Sequence, residues 1–114
     1  MADDQLIITL DVGGSSIKSG VVDLASLSVS DFNTTPINSR GTAESILQTL
    51  TDVIEYHWQK IPSVYGIGLG FPGPCDYASG ISYITGVEKY DAIYGVNIHD
   101  ALKAKLSDQT IPIR

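Results

Sequence analysis

The chain has few cysteines, few cations and no long apolar run, and each shortage excludes a class of protein. Cys75 is the one cysteine, so neither an internal disulfide nor a cysteine-based metal cluster can form within the chain. Lys and Arg number 7 against 13 Asp and Glu, with a net charge of −6 and no basic cluster, so nucleic-acid binding is not expected. No apolar run approaches the roughly 18 residues of a membrane span, so a membrane protein is not expected either.

Length and composition predict one globular domain. Apolar residues make up 43% of the chain and charged residues 18%, a balance typical of proteins that bury a core. A chain of 114 residues is long enough for one such domain. The N-terminal segment Met1–Gln5 is acidic, which argues against a secretory signal. A cytoplasmic protein is the expectation that fits these features best.

The first chemically informative segment is Leu10–Asp23, which predicts a strand, a polar glycine turn and a second strand. The preceding run Leu6–Leu10 is β-prone and apolar except at Thr9. This pattern is typical of a strand that is buried on both faces. The turn therefore follows directly on a strand of the predicted core.

The turn carries several hydrogen-bond donors and one acid. Gly13 and Gly14 allow positive φ and leave backbone N–H groups unshielded, and the hydroxyls of Ser15 and Ser16 are further donors. Asp11, at the end of the first strand, is placed to hold a hydrated divalent cation. Together these groups suit a nucleotide phosphate with its Mg²⁺. An ordinary hairpin with glycines in its turn is the alternative that the local sequence leaves open.

A second glycine-rich segment follows a buried strand that is predicted at Val64–Phe71. Gly68 and Gly70 remove side chains from one face of that strand, as expected where a ligand or another backbone packs closely. The segment Pro72–Pro74 then turns the chain at the carboxyl end of the strand, where open α/β sheets bind ligands. Taken alone, the segment favours a rigid turn packed on a neighbouring loop over a pocket wall.

The rest of the chain predicts the order strand, strand, strand, helix, strand, helix, strand, which gives one α/β domain with a mixed sheet. The clearest helix begins at a Gly41-Thr42 cap, has Glu44 in its first turn and is stopped by Pro62. Its apolar stripe at helical spacing consists of Ile46, Leu47, Leu50, Val53, Ile54, Trp58 and Ile61. Further elements are expected at 20–23, 27–36 and 97–106, and a last strand from residue 110.

Together, the two glycine segments resemble those of the ROK family, which unites repressors, open reading frames and kinases. The resemblance rests on Asp11–Asp23 (DVGGSSIKSGVVD) and Gly68–Pro74 (GLGFPGP). Ser79–Tyr83 and Thr110–Ile113 also look like segments of this family, so the likeness covers nearly the whole chain. It implies a ribonuclease H-like, actin-like ATPase fold, in which residues 1–114 form the N-terminal lobe.

The resemblance also implies an ATP-dependent sugar kinase that uses ATP and Mg²⁺. The segment Gly13–Ser16 matches the first phosphate-binding turn of the family, and Asp11 matches the acid beside the metal-bound phosphates. Lys18 is within reach of a phosphate, although a solvent-facing lysine is at least as expected on the second strand. The sugar site would be lined by a turn that matches Pro72, Gly73 and Pro74.

A side chain that binds a sugar hydroxyl is expected a few residues after Gly80. Kinases of this family usually carry Asn or Thr there, and the position falls at Thr85 or Gly86. Sugar recognition is retained if Thr85 is the match, which we favour, and altered if the match is Gly86, which has no side chain. The stretch Val87–Val96 is then expected to be a surface loop that caps the sugar.

The catalytic base of such kinases is not expected among these residues. It is an aspartate in a segment usually reading Glu-Asn-Asp-Ala, which takes the proton from the sugar hydroxyl, and that segment would begin just past Arg114. The adenosine site and a cysteine-rich zinc motif would also lie beyond this chain. The expected partners are therefore a small-molecule sugar and the missing C-terminal lobe. A homodimer is a further expectation, because dimers are common in the family and exposed apolar surface favours self-association.

Two other functions remain open at this point. A ROK-type regulator would bind sugar as an inducer and DNA through an added N-terminal helix-turn-helix, for which the sequence before Leu6 leaves no room. A non-catalytic interaction module would keep the fold without turnover. The remaining residue types that often carry chemistry are expected to be structural or solvent-exposed: His57, His99, Cys75 and Trp58.

Overall fold

A four-stranded mixed sheet forms the centre of the computed structural model, which describes residues 5–71, 75–76, 80–82, 90–106 and 111–113. The strand order is β3-β2-β1-β4, with β1 antiparallel to β2, β2 antiparallel to β3, and β1 parallel to β4. The strands of this sheet are β1 Leu6–Val12, β2 Ser16–Asp23, β3 Ser28–Pro36 and β4 Gly66–Gly70. The two helices are α1 Ala43–Trp58 and α2 Ile98–Lys105, and a short hairpin pairs β5 Cys75–Asp76 with β6 Ile81–Ser82.

One face of the sheet is covered and the other is partly open. In β1, Ile8, Leu10 and Val12 are buried in the hydrophobic core, as are the stripe residues Ile46, Leu50 and Ile54 of α1. Full burial of each such side chain contributes about 1.5–3 kcal/mol. The alternate residues of β1 are half-buried or exposed, so the expectation of a strand buried on both faces is wrong. The reason is that α1 covers the face that carries Ile8, Leu10 and Val12, since these residues and the buried stripe of α1 belong to one hydrophobic cluster.

The predicted helices are confirmed with small shifts at their ends. Thr42 caps α1, with its Oγ1 accepting the Ser45 N–H at 3.1 Å, and Asn97 caps α2 in the same way through the Asp100 N–H. α1 ends at Trp58, ahead of the predicted stop at Pro62. A proline blocks continuation of a helix, but a helix can also end before it reaches the proline. No helix within the described ranges is long and apolar enough to cross a membrane.

The predicted strands differ more from the structure. β2 begins at Ser16 rather than at residue 20, because the Ser-rich segment after the turn pairs in register with β1. The third and fourth strands lie where they were expected. Of the predicted last strand, Ile113 makes one parallel bridge to Ile67, while residues 107–110 lie outside the described residues. The hairpin of β5 and β6 was not predicted from the sequence.

His57 joins the end of α1 to the sheet through two hydrogen bonds. Its Nε2 lies 2.8 Å from the Ser19 hydroxyl and its Nδ1 lies 2.9 Å from a carboxylate oxygen of Asp31. Because a carboxylate only accepts hydrogen bonds, the Nδ1 proton is donated to Asp31. Asp31 lies at a bulge in the β2–β3 pairing, with a φ of 53° that aspartate tolerates better than most residues. The buried imidazole therefore links α1 to β2 and β3 through hydrogen bonds within the core.

Replacing Asp31 by asparagine is expected to lower stability at pH 7 but not in acid. Partial burial acts to raise the pKa of Asp31, yet hydrogen bonds from His57 and Lys60 hold this pKa below its ordinary value. Stabilisation from a depressed carboxylate pKa is present above the unfolded-state pKa and is lost as the pH falls through the folded-state pKa. Asparagine keeps an acceptor and tolerates the left-handed backbone, so the loss at pH 7 is expected to be about 0.5–1.5 kcal/mol.

Urea unfolding of Asp31→Asn and of the original chain at pH 7 and near pH 3 measures this difference. Asp52→Asn is the matched control, because Asp52 is exposed on α1 and its substitution is expected to change stability by less than about 0.5 kcal/mol. An equal loss for Asp31→Asn at both pH values would contradict a role for the charge.

Candidate functional site

The candidate site lies at the carboxyl ends of the two parallel strands. Asp11 on β1 pairs with Gly70 on β4, and neighbouring strands lie about 4.8 Å apart. The glycine turn follows β1 and Phe71 follows β4, so both leave the sheet at the same edge. The structure thus brings the predicted phosphate turn next to the start of the predicted sugar turn. Pro72, Gly73 and Pro74 themselves lie outside the described residues.

Asp11 lies in a row of residues on the open face of the sheet. Lys18 is its partner across β1–β2 and Gly70 its partner across β1–β4, and both Asp11 and Lys18 are exposed. A Cβ at Gly70 would lie 3.6 Å from the Oδ1 of Asp11. The glycine therefore leaves space beside the carboxylate. The Lys18 side chain faces solvent, as the alternative expectation had it, and lies on the same face as the acid.

The turn after β1 is held by three hydrogen bonds. The Gly13 N–H donates to the Ser16 carbonyl at 2.8 Å, and the Ile37 N–H donates to the Ser15 carbonyl at 3.0 Å. The third is the Tyr90 hydroxyl, which donates to the Gly13 carbonyl. Because the Gly13 N–H is used within the turn, it is not among the donors that are left for a ligand in this structure.

The reason for glycine at position 13 also differs from the expected one. Among the described glycines, Gly80 and Gly95 have a positive φ and Gly13 does not. The backbone conformation at position 13 therefore does not require glycine. A Cβ at Gly13 would lie 3.1 Å from the Ser16 carbonyl oxygen. A side chain would therefore crowd the hydrogen bond that closes the turn. Glycine permits the close approach of two backbone segments here.

The groups left as candidate phosphate donors are the amides of Gly14 and Ser15 and the hydroxyls of Ser15 and Ser16. Ser15 is exposed and Ser16 is half-buried at the start of β2. Asp11 is the acid nearest to this turn in sequence, and no cluster of three or more His, Cys, Asp or Glu occurs among the residues that the structure describes. A lone carboxylate with open space fits Mg²⁺, which keeps several waters and takes further ligands from phosphates.

The segment expected to contact the sugar is anchored at both ends. The Ile98 N–H donates to the Gly80 carbonyl at 2.7 Å and the Gly95 N–H donates to the Ser82 carbonyl at 2.6 Å. Thr85 and Gly86 lie between these anchors but outside the described residues, so the choice between them stays a prediction.

The expectation that residues 87–96 form a surface loop is wrong in part. Tyr90 is 1% exposed and Ile93 is fully buried. Both side chains belong to the hydrophobic core, and the ring of Tyr90 lies 5.2 Å from that of Phe71. Tyr90 was not predicted as a site residue, because its partners are remote in sequence and an aromatic residue between charged residues carries no local signal.

The other candidate residues have structural positions. The ring of His99 lies against Gly80, and burial, followed by the nearby Lys103, lowers its pKa. Trp58 packs partly buried against the core, as predicted for a helix-to-sheet anchor. Cys75 is in β5, and its side chain lies outside what the structure describes.

A groove of about 480 Å³ lies at the opposite end of the open sheet face. Its lining is mostly apolar and is formed by Ile7, Tyr65, Gly66, Ile67, Gly68 and Pro112. Ile7 and Gly66 are paired at the amino ends of β1 and β4. At about 3.3 Å per residue, Ile7 lies about 13 Å from Asp11, so this groove is separate from the candidate phosphate site.

Comparison with solved structures finds proteins of similar fold, among them two sugar kinases and a transcriptional regulator. A ROK hexokinase from Thermus thermophilus matches with a TM-score of 0.76 and 22% identity, over 96% of this chain and 34% of that one. A glucokinase from Parabacteroides distasonis matches with a TM-score of 0.77 and 23% identity, over 97% of this chain and 30% of that one. A ROK family transcriptional regulator, a homologue of the E. coli Mlc protein, matches with a TM-score of 0.70 and 19% identity, over 97% of this chain and 27% of that one.

These matches establish the fold of the chain. The predicted actin-like ATPase fold with a mixed α/β sheet is confirmed, and the resemblance to ROK proteins extends over nearly the whole chain. The chain spans about a third of the length of the hexokinase and the glucokinase. No protein-family model and no curated protein matches the sequence.

Proposed function

We propose that residues 1–114 are the N-terminal lobe of an ATP-dependent sugar kinase of the ROK type. The observation that carries this proposal is the meeting of two segments at one sheet edge. Asp11 and the glycine turn lie at the carboxyl end of β1. Beside them, at the carboxyl end of β4, lies Phe71, which leads into Pro72–Pro74. A phosphate donor and a sugar acceptor must meet in this way for direct transfer. The similarity in fold to a hexokinase and a glucokinase supports the assignment.

In the proposed reaction the turn binds the phosphates of ATP. The amides of Gly14 and Ser15 and the hydroxyls of Ser15 and Ser16 donate to phosphate oxygens, and Lys18 adds positive charge on the same face. Asp11 holds the water shell of a metal ion in the space beside Gly70. When bound, Mg²⁺ neutralises the charge that develops on the transferred phosphoryl group.

The sugar is proposed to lie on the Phe71 side of the turn. The backbone of Pro72, Gly73 and Pro74 lines its site, and the Thr85 hydroxyl binds a sugar hydroxyl, with Gly86 as its neighbour. The base that removes the proton from the attacking hydroxyl belongs to the C-terminal lobe. We therefore expect the 114-residue chain alone to fold without catalysing transfer.

The open face of the sheet is proposed to contact the rest of the protein, or a second copy of it. Val29 is 59% exposed and Phe32 is 68% exposed on the edge strand β3, and the apolar groove lies on the same sheet. Exposed apolar patches of this kind mark interaction sites. A cytoplasmic location is part of the proposal.

A sugar-sensing regulator is the second candidate, because the Mlc homologue has the same fold. Similarity in fold does not separate a regulator from a kinase, because both classes share this fold. A non-catalytic interaction module is the third possibility. A regulator would bind sugar without consuming ATP, whereas an interaction module would do neither.

Turnover of a sugar panel separates these functions. The complete product of the gene that encodes this chain is incubated with ATP, Mg²⁺ and a set of hexoses and N-acetylhexosamines. We expect one sugar to yield equal amounts of sugar phosphate and ADP, and the 114-residue chain to yield neither. A folded complete protein without product on any sugar would contradict the kinase, and product from the short chain would contradict the proposed division of the site.

A further inference from the structure

Tyr90 has a backbone conformation that is unfavourable for its residue type. Its φ of 61° lies in the left-handed region, which bulky residues seldom occupy. Two backbone hydrogen bonds hold it there, since the Tyr90 N–H donates to the Ser39 carbonyl at 2.6 Å and its carbonyl accepts from Ile93 at 3.1 Å. Strained residues that are fixed by their surroundings cluster at functional sites. The position of Tyr90 therefore calls for a functional explanation.

With this backbone conformation, the Tyr90 side chain reaches the glycine turn. The side chain is buried in the core, and its hydroxyl donates to the carbonyl of Gly13, 77 residues away in sequence. Burial raises the pKa of the Tyr90 phenol, so the group remains a proton donor at neutral pH. Gly13 is also the residue whose N–H closes the turn by donating to the Ser16 carbonyl. Both the N–H and the carbonyl of Gly13 are thus hydrogen-bonded, to Ser16 and to Tyr90 respectively.

The same ring is also fixed to the end of β4. It packs on Phe71 with a centroid distance of 5.2 Å and an angle of 58° between the rings. Phe71 is 8% exposed and leads directly into the predicted sugar turn. Tyr90 therefore touches the ends of both strands that meet at the candidate site. A buried ring with one polar tip suits this role, because packing fixes the ring and the tip adds a directed contact.

We propose that Tyr90 is a positioning residue that holds the turn Gly13–Ser16 in the shape that binds the phosphates of ATP. It acts through the Gly13 carbonyl and does not itself touch the nucleotide. The proposal rests on the proposed kinase function for its consequence in catalysis. The effect of Tyr90 on the conformation of the turn can be measured without assaying catalysis.

The test is Tyr90→Phe in the complete gene product, because phenylalanine keeps the ring and removes only the hydroxyl. In the free protein, amide hydrogens of residues 13–16 are expected to exchange about 3- to 10-fold faster, the loss that one hydrogen bond predicts. The KM for MgATP is expected to rise by a similar factor, while kcat and the KM for the sugar change less than about twofold. Tyr56→Phe, at an exposed tyrosine on α1 and outside the turn, is the matched control and is expected to change none of these.

The outcomes distinguish this proposal from the kinase assignment. Unchanged exchange at residues 13–16 with an unchanged KM for MgATP would overturn the role of Tyr90. A lower melting temperature with both KM values unchanged would also overturn it, since that result describes a merely structural residue. If no variant phosphorylates any sugar, the kinase assignment fails, and the exchange rates alone decide whether Tyr90 holds the turn.

Discussion

In the complete gene product, Asp11→Asn is expected to lower kcat/KM for sugar phosphorylation by about 10- to 100-fold, the usual loss when a group that orients a metal ion is neutralised. Asparagine has nearly the same shape, and Asp11 is exposed at the end of β1, so the fold is expected to stay intact. In the proposed site, this substitution removes the charge that would hold the water shell of Mg²⁺ in the space beside Gly70. Initial rates at several Mg²⁺ concentrations measure the effect, which should include a weaker response to Mg²⁺.

The control for this variant is Asp52→Asn, which removes an exposed acid from α1, away from the candidate site. We expect it to leave kcat/KM and the response to Mg²⁺ unchanged. Full activity of Asp11→Asn, with the Mg²⁺ response of the original protein, would show that Asp11 does not hold the metal and would remove the assignment of this edge as the phosphate site.

Gly80→Ala is expected to lower the free energy of unfolding by about 2–4 kcal/mol, a large effect for one methyl group. Gly80 has a φ of 79°, which alanine adopts only with strain, and its Cβ would lie 2.5 Å from Cγ of the His99 ring. The Gly80 carbonyl also accepts the Ile98 N–H at the start of α2. The methyl group therefore pushes apart a hairpin and a helix that are directly bonded. Urea unfolding measures the loss.

Two further variants separate the clash from the backbone strain. Gly95 has a φ of 77° and open space around its added Cβ, so Gly95→Ala is expected to cost only the strain, about 1–2 kcal/mol. In a His99→Ala background, the cost of Gly80→Ala is expected to fall to the same value. Equal losses for the two glycines in the original background would contradict the clash with His99.

The fold was predictable where the signal is local. The α1 stripe, its Thr42 cap and the range of α2 follow from spacing and side-chain chemistry within a few residues. β2 was predicted too short, because the alternation of Ser16–Ser19 has polar residues on both faces and resembles a loop. The hairpin of β5 and β6 has two residues in each strand, which is too short for periodicity to show.

The site was predictable only in its separate parts. The glycine turn and the Gly68–Pro74 segment could be read from residue types, and their meeting follows from two adjacent parallel strands. The contacts that sequence could not reveal join distant residues: in the core, His57 with Asp31 and Ser19, 26 and 38 residues apart, and at the site, Tyr90 with Gly13, 77 residues apart. Such pairs depend on the β3 bulge and on one left-handed tyrosine. Neither feature has a sequence pattern of its own.

The most direct test of the central claim is a structure of the complete gene product with a non-hydrolysable ATP analogue, Mg²⁺ and the sugar that it phosphorylates. We expect phosphate oxygens about 2.7–3.2 Å from the amides of Gly14 and Ser15, the metal ion on the Asp11 side, and the sugar beside Phe71. A nucleotide whose phosphates lie away from this turn, with the sugar at another edge of the sheet, would contradict it.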